Sequence, residues 1–342
     1  MTARAGPCYT TRAAGRVQTL PPSSSVAYPL SATAGGAPRP RRVADDVSAV
    51  RRVNRRRGSV VSAAAFLAAL AAATGAGRDA AWAAPTEIFP STSLFRPLLA
   101  DPREAQSSLR YLVSSGKARG QAAFGDTFGL VRINTAFPVQ FGLQGSVFTR
   151  FNRDADSAGF LDINSADYTL FLPLDVQFGG WVLRTGVGHL SSHFGESEVQ
   201  RQILSGGALS FDRRFLYRRD YVRVTAAWDA TEQLRLYGGA SVAVHVRPSA
   251  PRTTIQTGAE WRWALHPLGS IMRQWYLGVD FQSWAESDWA ANANLEGGLR
   301  LARPDGTRGV RISLSGYAGR SLQRVLASER ERYLSAGLIF EF

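Results

Sequence analysis

The chain has 342 residues, of which 45% are hydrophobic and 20% charged, and its formal charge is +13. Such a charge suggests a nucleic-acid partner. However, 12 of the 40 basic residues and only three acids lie in residues 1–84. Residues 85–342 are therefore nearly neutral, and we predict no nucleic-acid binding. The single cysteine, Cys8, excludes disulfides and a thiol nucleophile from residues 9–342, and with four histidines we predict no cofactor and no metal site.

The amino-terminal part of the chain lacks the periodicity of a folded domain. Residues 1–50 are rich in Pro, Ser, Ala, Gly and Arg and cannot bury a core, so we interpret them as a disordered leader or an over-called start. Residues 51–84 combine an arginine cluster, an apolar run and small residues, which is typical of a signal peptide cleaved near Ala83 or Ala84. A helix with a basic cap is the alternative. We expect residues 85–106 to form a short periplasmic lead-in.

From residue 107 onward the apolar residues recur with a period of two, as in strands with one apolar face. In 234–246, for example, Leu234, Leu236 and the following even-numbered residues are apolar or glycine, while Arg235 and His245 lie on the other face. Most candidate strands reach the roughly 9–11 residues that a tilted strand needs to cross a bilayer. There are about twelve candidates: 107–116, 120–133, 137–151, 165–177, 181–190, 217–228, 234–246, 253–264, 274–284, 292–302, 308–318 and 333–342.

These strands predict an all-β fold, a transmembrane antiparallel up-and-down β-barrel over residues 107–342 with about 12 strands, 10 to 14 being compatible. The connections alternate between short and long, as in bacterial barrels with short periplasmic turns and long outer loops; only 265–273 is long on the inner side. Aromatic residues near the strand ends indicate interfacial girdles. They are Trp181, Trp228, Trp261, Trp263, Trp275 and Tyr333.

The carboxy-terminal strand ends on an aromatic residue, Phe342, and Phe340, Leu338, Ala336 and Leu334 share its face. Because a barrel must pair its last strand with its first, this terminus is structural. We interpret Phe342 as a terminal signal for the outer-membrane assembly machinery. We therefore predict an outer-membrane location, with outer-membrane lipid as a partner.

One stretch, residues 186–229, carries an unusual density of chemically active side chains. His189 and Ser191 share a face that alternation directs outward, toward lipid. A lipid hydrolase would use His189 as general base, Ser191 as nucleophile and Glu196 or Glu198 as orienting acid. The stretch resembles the His-x-Ser arrangement of outer-membrane lipid A deacylases. Four arginines further along the stretch are candidate contacts to lipid phosphate: Arg213, Arg214, Arg218 and Arg219.

The alternative interpretation of the same stretch is structural: His193, Ser191 and Ser192 would satisfy loop backbone groups. A His-x-Ser pattern is a weak motif without a defined acid partner. No phosphate-binding glycine loop, HExxH motif or nucleophile elbow occurs, so the other common enzyme classes have no support.

Three stretches together resemble the domain-of-unknown-function family 1207. They are "LFRPLLADPREAQSSLRY" (94–111), "GHLSSHFGESEV" (188–199) followed by "YRRDYVRVTAAWDATEQLRLYGG" (217–239), and the closing "SAGLIFEF". "HLSSHFGE" and the Arg-Asp that follows are the most specific of these marks, although Ser197 separates Glu196 from Glu198 where an Asp-Glu pair is expected. The resemblance covers 90–342 and implies a bacterial, secreted, barrel-like protein; it supplies no reaction.

The function expected from the sequence is that of an uncharacterised outer-membrane β-barrel protein, structural or pore-like. The lipid hydrolase centred on His189 and Ser191 is the alternative, and a soluble lipocalin-type binder is a third. Mixed charges on the faces directed inward suit a plugged barrel as well as a water-filled pore. They are Arg235, Glu260, Arg262, Asp280, Glu296, Arg300 and Arg311.

Overall fold

The computed structural model describes residues 85–114, 117–152, 162–195, 199, 216–305 and 308–342. The predictions for residues 1–84 lie outside this part. None of the described residues forms a helix long and apolar enough to cross a membrane. The strands are β1 Thr86–Ile88, β2 Ser107–Ser114, β3 Lys117–Ile133, β4 Val139–Asn152, β5 Asp162–Phe178, β6 Trp181–Phe194, β7 Leu216–Asp229, β8 Leu234–Arg247, β9 Thr253–Arg262, β10 His266–Leu268, β11 Ile271–Trp284, β12 Ala290–Ala302, β13 Gly309–Arg320 and β14 Arg330–Glu341. Single 3₁₀ turns lie at Ala285–Ser287 and Arg324–Leu326.

Twelve of these strands close into one antiparallel barrel, which confirms the predicted fold class. Each strand from β2 to β9 and from β11 to β14 pairs with its neighbours in the sheet, and β14 closes the ring against β2, with Leu334 opposite Val113. All twelve predicted segments correspond to a barrel strand, with ends that agree within four residues. The long inner connection contains β10, which folds back on the start of β11.

The barrel is apolar outside and polar inside, as alternation predicts. On β14, Leu334 and Leu338 are exposed on the exterior, as is Phe342 just after the strand, while Glu331 and Ser335 are buried in the lumen. A soluble lipocalin-type barrel has the opposite distribution, because water must cover its exterior. This finding excludes the lipocalin alternative.

The interfacial aromatic residues follow the prediction with one exception. Trp181 and Trp228 stack on the exterior at a centroid distance of 5.5 Å, next to the short connections, and Trp261, Trp263 and Trp275 are also exposed. Tyr333, predicted in the same girdle, instead faces the lumen, where its ring stacks on Tyr317 at 5.1 Å. The odd-numbered residues of β14 point inward, so the prediction for Tyr333 was wrong.

The first wall strand is interrupted by a segment that enters the lumen. β1 pairs with Val131–Ile133 of β3, and β2 pairs with the opposite end of the same strand. Residues 89–106, here called the lumenal segment, connect the two pieces through the barrel interior. Residues 85–106, predicted as a periplasmic lead-in, thus include a stretch whose course through the barrel the sequence pattern does not predict.

Contacts to several strands hold the lumenal segment in place. Its Phe95 side chain packs between the guanidinium groups of Arg184 and Arg235, at 4.4 and 4.8 Å from the ring centroid. The Leu99 amide donates to Glu260 Oε1 at 2.6 Å. Asn294 Nδ2 donates to the Ala100 carbonyl at 2.8 Å. The segment therefore crosses the lumen with its polar groups satisfied by the wall.

Candidate functional site

The candidate site lies on the exterior wall formed by β5 to β8, where two neighbouring rows of side chains cross the sheet. The histidine row, in cross-strand register, is Leu170, His189, Asp220 and His245. The serine row, two residues nearer the long connections, is Tyr168, Ser191, Arg218 and Arg247.

His189 and Asp220 are in direct contact across β6 and β7. His189 Nδ1 lies 2.6 Å from Asp220 Oδ1, and each side chain is 48% exposed. An ionised carboxylate only accepts hydrogen bonds, so in a neutral imidazole this contact places the proton on Nδ1 and leaves Nε2 as an acceptor. Ser191 is two residues further along the same face, about 6.6 Å by strand geometry. The wall thus places a hydroxyl on the same face as an imidazole and a carboxylate that contact each other.

An irregularity in β8 adds His245 to the exterior. Asp220 is opposite His245 but Tyr221 is opposite Ala243, so Val244 is an extra residue on β8. A bulge of this kind reverses the alternation beyond it. His245 is therefore exposed on the exterior, while Val246 is buried in the lumen, the reverse of the predicted faces.

The depth of the site follows from strand geometry. Ser191 is ten residues beyond the girdle residue Trp181, about 33 Å along the strand and about 25 Å along the axis at a 40° tilt. The apolar band of such barrels is about 25 Å tall. If the long connections lie outside the cell, the serine row is at the outer edge of this band and the histidine row is just below it.

The remaining predicted site residues differ in position. Glu196, Glu198, Arg213 and Arg214 lie outside the described residues. Arg218 faces the exterior, but Arg219 is only 5% exposed and faces the lumen, where its Nη2 donates to Ser241 Oγ at 3.2 Å.

Alternation along β7 therefore separates Arg219 from Arg218, and the prediction that Arg219 contacts lipid phosphate was wrong. Asp220 was not among the predicted acids. A signal was present in the sequence: His189 is eight residues after Trp181, and Asp220 is eight residues before Trp228.

Ser192 and His193 support the structure around the site. Ser192 Oγ donates to the buried Asp167 carboxylate and accepts the Val325 amide at 3.1 Å. This contact agrees with the structural interpretation for Ser192. The His193 ring meets Tyr168 edge-on at 5.8 Å. Ser191 faces away from the contacts of Ser192 and lies on the exterior, opposite Tyr168.

The described lumen contains a small cavity. A cavity of about 110 Å³ lies between the lumenal segment and the turn that carries Arg324, and Arg219 and Arg223 line it. Six of the seven predicted lumenal charges form ion pairs, for example Glu260 with Arg262 at 3.0 Å and Glu296 with Arg110 at 2.8 Å. Asp280 instead accepts hydrogen bonds from Tyr237 and Gln256. Among the described residues, no group of three or more His, Cys, Asp or Glu side chains is arranged to hold a metal ion.

Comparisons with known proteins give the following matches. The family described as "Protein of unknown function (DUF1207)" matches residues 51–342. A search of curated proteins finds no match. Among solved structures, the chain is similar to outer membrane phospholipase A from Escherichia coli, with 15% identity over 73% of this chain and 95% of that chain and a TM-score of 0.46.

Two further structures are similar over a comparable length. The KdgM porin matches with 11% identity over 69% of this chain and 99% of that chain, at a TM-score of 0.38. LpxR from Salmonella typhimurium matches with 10% identity over 69% of this chain and 100% of that chain, at a TM-score of 0.36. At these identities and TM-scores the similarities carry no argument about what this chain does.

Proposed function

The chain belongs to the DUF1207 family of proteins of unknown function, and for this member we propose a function from its own geometry. It is an outer-membrane β-barrel that hydrolyses ester bonds of membrane lipid, with Ser191 as nucleophile, His189 as general base and Asp220 as the acid that orients the base. Asp220 replaces Glu196 and Glu198 in this role.

The observation that carries the proposal is the contact between His189 and Asp220 on the exterior wall. An exposed ion pair contributes only about 0–1 kcal/mol to stability, so a gain in stability does not explain why these two side chains are paired on the exterior wall. Ionisable side chains on a lipid-facing wall are uncommon and are treated as functional by default. The neighbouring lipid-facing residues Leu170, Val187 and Val222 are exposed and apolar, so an acyl chain can lie against them.

The proposed reaction proceeds in two steps. His189 Nε2 takes the proton of the Ser191 hydroxyl as its oxygen attacks the ester carbonyl carbon. The tetrahedral intermediate collapses, the bond to the alcohol oxygen breaks, and His189 returns the proton to the leaving alcohol. Water, deprotonated by the same imidazole, then attacks the carbonyl carbon of the acyl-serine ester. The bond to Ser191 Oγ breaks, the imidazole returns the proton to Oγ, and the fatty acid is released. Asp220 keeps the ring in the required tautomer.

The outer-membrane location is part of the proposal. The apolar exterior, the stacked Trp181 and Trp228, and the charged lumen support insertion into a bilayer. The signal-peptide pattern of residues 51–84 supports export. The terminal residue Phe342 supports recognition by the barrel-assembly machinery.

A structural or pore-like function is the other proposal for this barrel. The lumenal segment, held by hydrogen bonds to the wall, and ion pairs between wall residues occupy part of the lumen.

Acyl-ester hydrolysis by the folded protein tests the proposed function. The chain, purified in folded form from outer membranes, is incubated with phospholipid and with lipid A, and fatty-acid release is followed by mass spectrometry. We expect Ser191→Ala and His189→Ala to reduce release by about 10³-fold or more.

Two variants serve as matched controls. Thr185→Ala removes a hydroxyl from the same face of β6, and His266→Ala removes an imidazole from the inner hairpin. Both should retain activity. Undiminished release by Ser191→Ala, or no release by well-folded wild-type protein, would contradict the proposal.

A further inference from the structure

Two arginines share the serine row with the proposed nucleophile. Arg218 is directly opposite Ser191, and Arg247 is directly opposite Arg218. Directly opposed residues on neighbouring strands have Cβ atoms about 5 Å apart. Arg218 is therefore the direct neighbour of Ser191 on the exterior, Arg247 is one strand further along the same row, and both side chains are exposed.

Among the described residues, neither arginine forms an ion pair with an acid, whereas Asp220, the nearest acid on β7, contacts His189. Like charges directly opposite each other in a sheet are destabilising. An anion bound between the two groups removes this repulsion. Guanidinium groups bind phosphate oxygens in a bidentate manner, which makes phosphate a well-matched anion.

The depth of the row agrees with such a ligand. Arg218 is ten residues from the girdle residue Trp228, as Ser191 is from Trp181, so both lie near the outer edge of the apolar band. A lipid-facing arginine costs about 2–4 kcal/mol at the bilayer midplane but only about 0–1 kcal/mol near the interface. Lipid headgroups lie at this interface, and the ester bonds of the acyl chains lie just below them.

We propose that Arg218 and Arg247 form a phosphate-binding site that selects a phosphate-bearing acyl lipid and holds its ester bond at Ser191. This inference rests on the proposed hydrolase function for its catalytic consequence, but the binding site itself does not. A glycerophospholipid and a phosphorylated lipid A supply the same chemistry.

The first measurement is hydrolysis of phosphatidylethanolamine and of diacylglycerol, which lacks the phosphate, in mixed micelles. Because a hydrogen bond to a charged group is lost with each arginine, we expect Arg218→Gln/Arg247→Gln to raise KM for the phospholipid about tenfold or more. Hydrolysis of diacylglycerol should change little. Arg332→Gln, at a lipid-facing arginine of β14 far from the site, is the matched control and should behave as wild type. An unchanged preference for phospholipid in the double variant would overturn the proposal.

The second measurement separates binding from catalysis. Native mass spectrometry of the Ser191→Ala protein compares retention of phosphatidylethanolamine, lipid A and dephosphorylated lipid A, with folding checked by heat-modifiable gel migration. The site is supported if retention requires the phosphate and is abolished by Arg218→Gln/Arg247→Gln. The lipid that is retained then identifies the source of the phosphate. If wild-type protein hydrolyses no lipid but shows this retention, the hydrolase proposal fails and the phosphate site stands. Retention that is independent of phosphate or of the two arginines overturns the site.

Discussion

The side chains of His189 and Asp220 meet on a wall where most neighbours are apolar, and each remains about half exposed. Their contact gives little stability at such exposure, but it determines the orientation and tautomer of the imidazole. An orienting carboxylate increases the rate because it stabilises the imidazolium that forms when the base takes a proton. At the residue scale, activity and stability should therefore respond differently to the same substitution.

Asp220→Asn tests this separation. We expect the rate of ester hydrolysis to fall by about 10²- to 10⁴-fold, because an amide supports the wrong tautomer. The free energy of unfolding should change by less than about 1 kcal/mol. Hydrolysis rates and the temperature midpoint of heat-modifiable gel migration give the two quantities.

Asp229→Asn is the control for that variant. Asp229 is at the other end of the same strand and forms an ion pair of similar exposure with Arg96. Its replacement should leave the rate of hydrolysis unchanged. Equal losses of rate in the two variants would argue against a specific role for Asp220.

At the element scale, the lumenal segment is the element that crosses the barrel interior. Its Asp101 carboxylate accepts hydrogen bonds from Gln256 at 2.9 Å and Gln282 at 3.1 Å, and Arg103 pairs with Asp167 at 2.8 Å. These partners lie on three different strands. Because a buried ionic group left without its partner is costly, the segment is held as a unit.

Replacement of residues 90–105 by a Gly/Ser linker of equal length removes these contacts and the packing of Phe95. The barrel wall keeps its own ladder of hydrogen bonds, so we expect it to remain folded while the lumen becomes permeable to ions. Planar-bilayer recordings should show conductance for this variant and none for wild type. A Gly/Ser replacement of the inner turn 303–307 is the control. A folded but non-conducting variant would show that wall side chains alone close the lumen.

At the scale of the whole molecule, the barrel depends on the pairing of β14 with β2 and β13, because closure leaves no exposed sheet edge. Phe342 lies just beyond the last pair and is 72% exposed. It therefore adds little to the packing of the folded barrel. Its proposed contribution is to assembly in the cell.

Deletion of Phe342 should reduce the amount of folded protein in the outer membrane several-fold while leaving the stability of protein refolded in detergent within about 0.5 kcal/mol of wild type. Membrane fractionation with heat-modifiable gels measures the first quantity, and urea unfolding measures the second. Phe178→Ala, at another exposed aromatic residue near the inner side, is the control. A normal folded yield in the outer membrane would remove the case for a terminal signal.

The sequence alone determined the fold class, the twelve strands and the face of most side chains. The reason is physical: a wall between lipid and a polar lumen imposes a period of two on every strand, and that period is visible residue by residue. It also directed His189 and Ser191 to the exterior correctly. The same alternation along β7 places Arg219 in the lumen and Asp220 on the exterior.

Only the tertiary structure decided the partners. Cross-strand register brings Asp220 to His189 and Arg247 to Arg218, over separations of 31 and 29 residues. The first pairing spans the long connection between β6 and β7 and the second includes the extra residue of β8, and local pattern encodes neither. The extra residue Val244 turns His245 outward, and alternation cannot foresee a bulge. The lumenal segment has no regular hydrophobic period, so the sequence pattern does not predict its path. That path depends on the hydrogen bonds between the segment and the barrel wall.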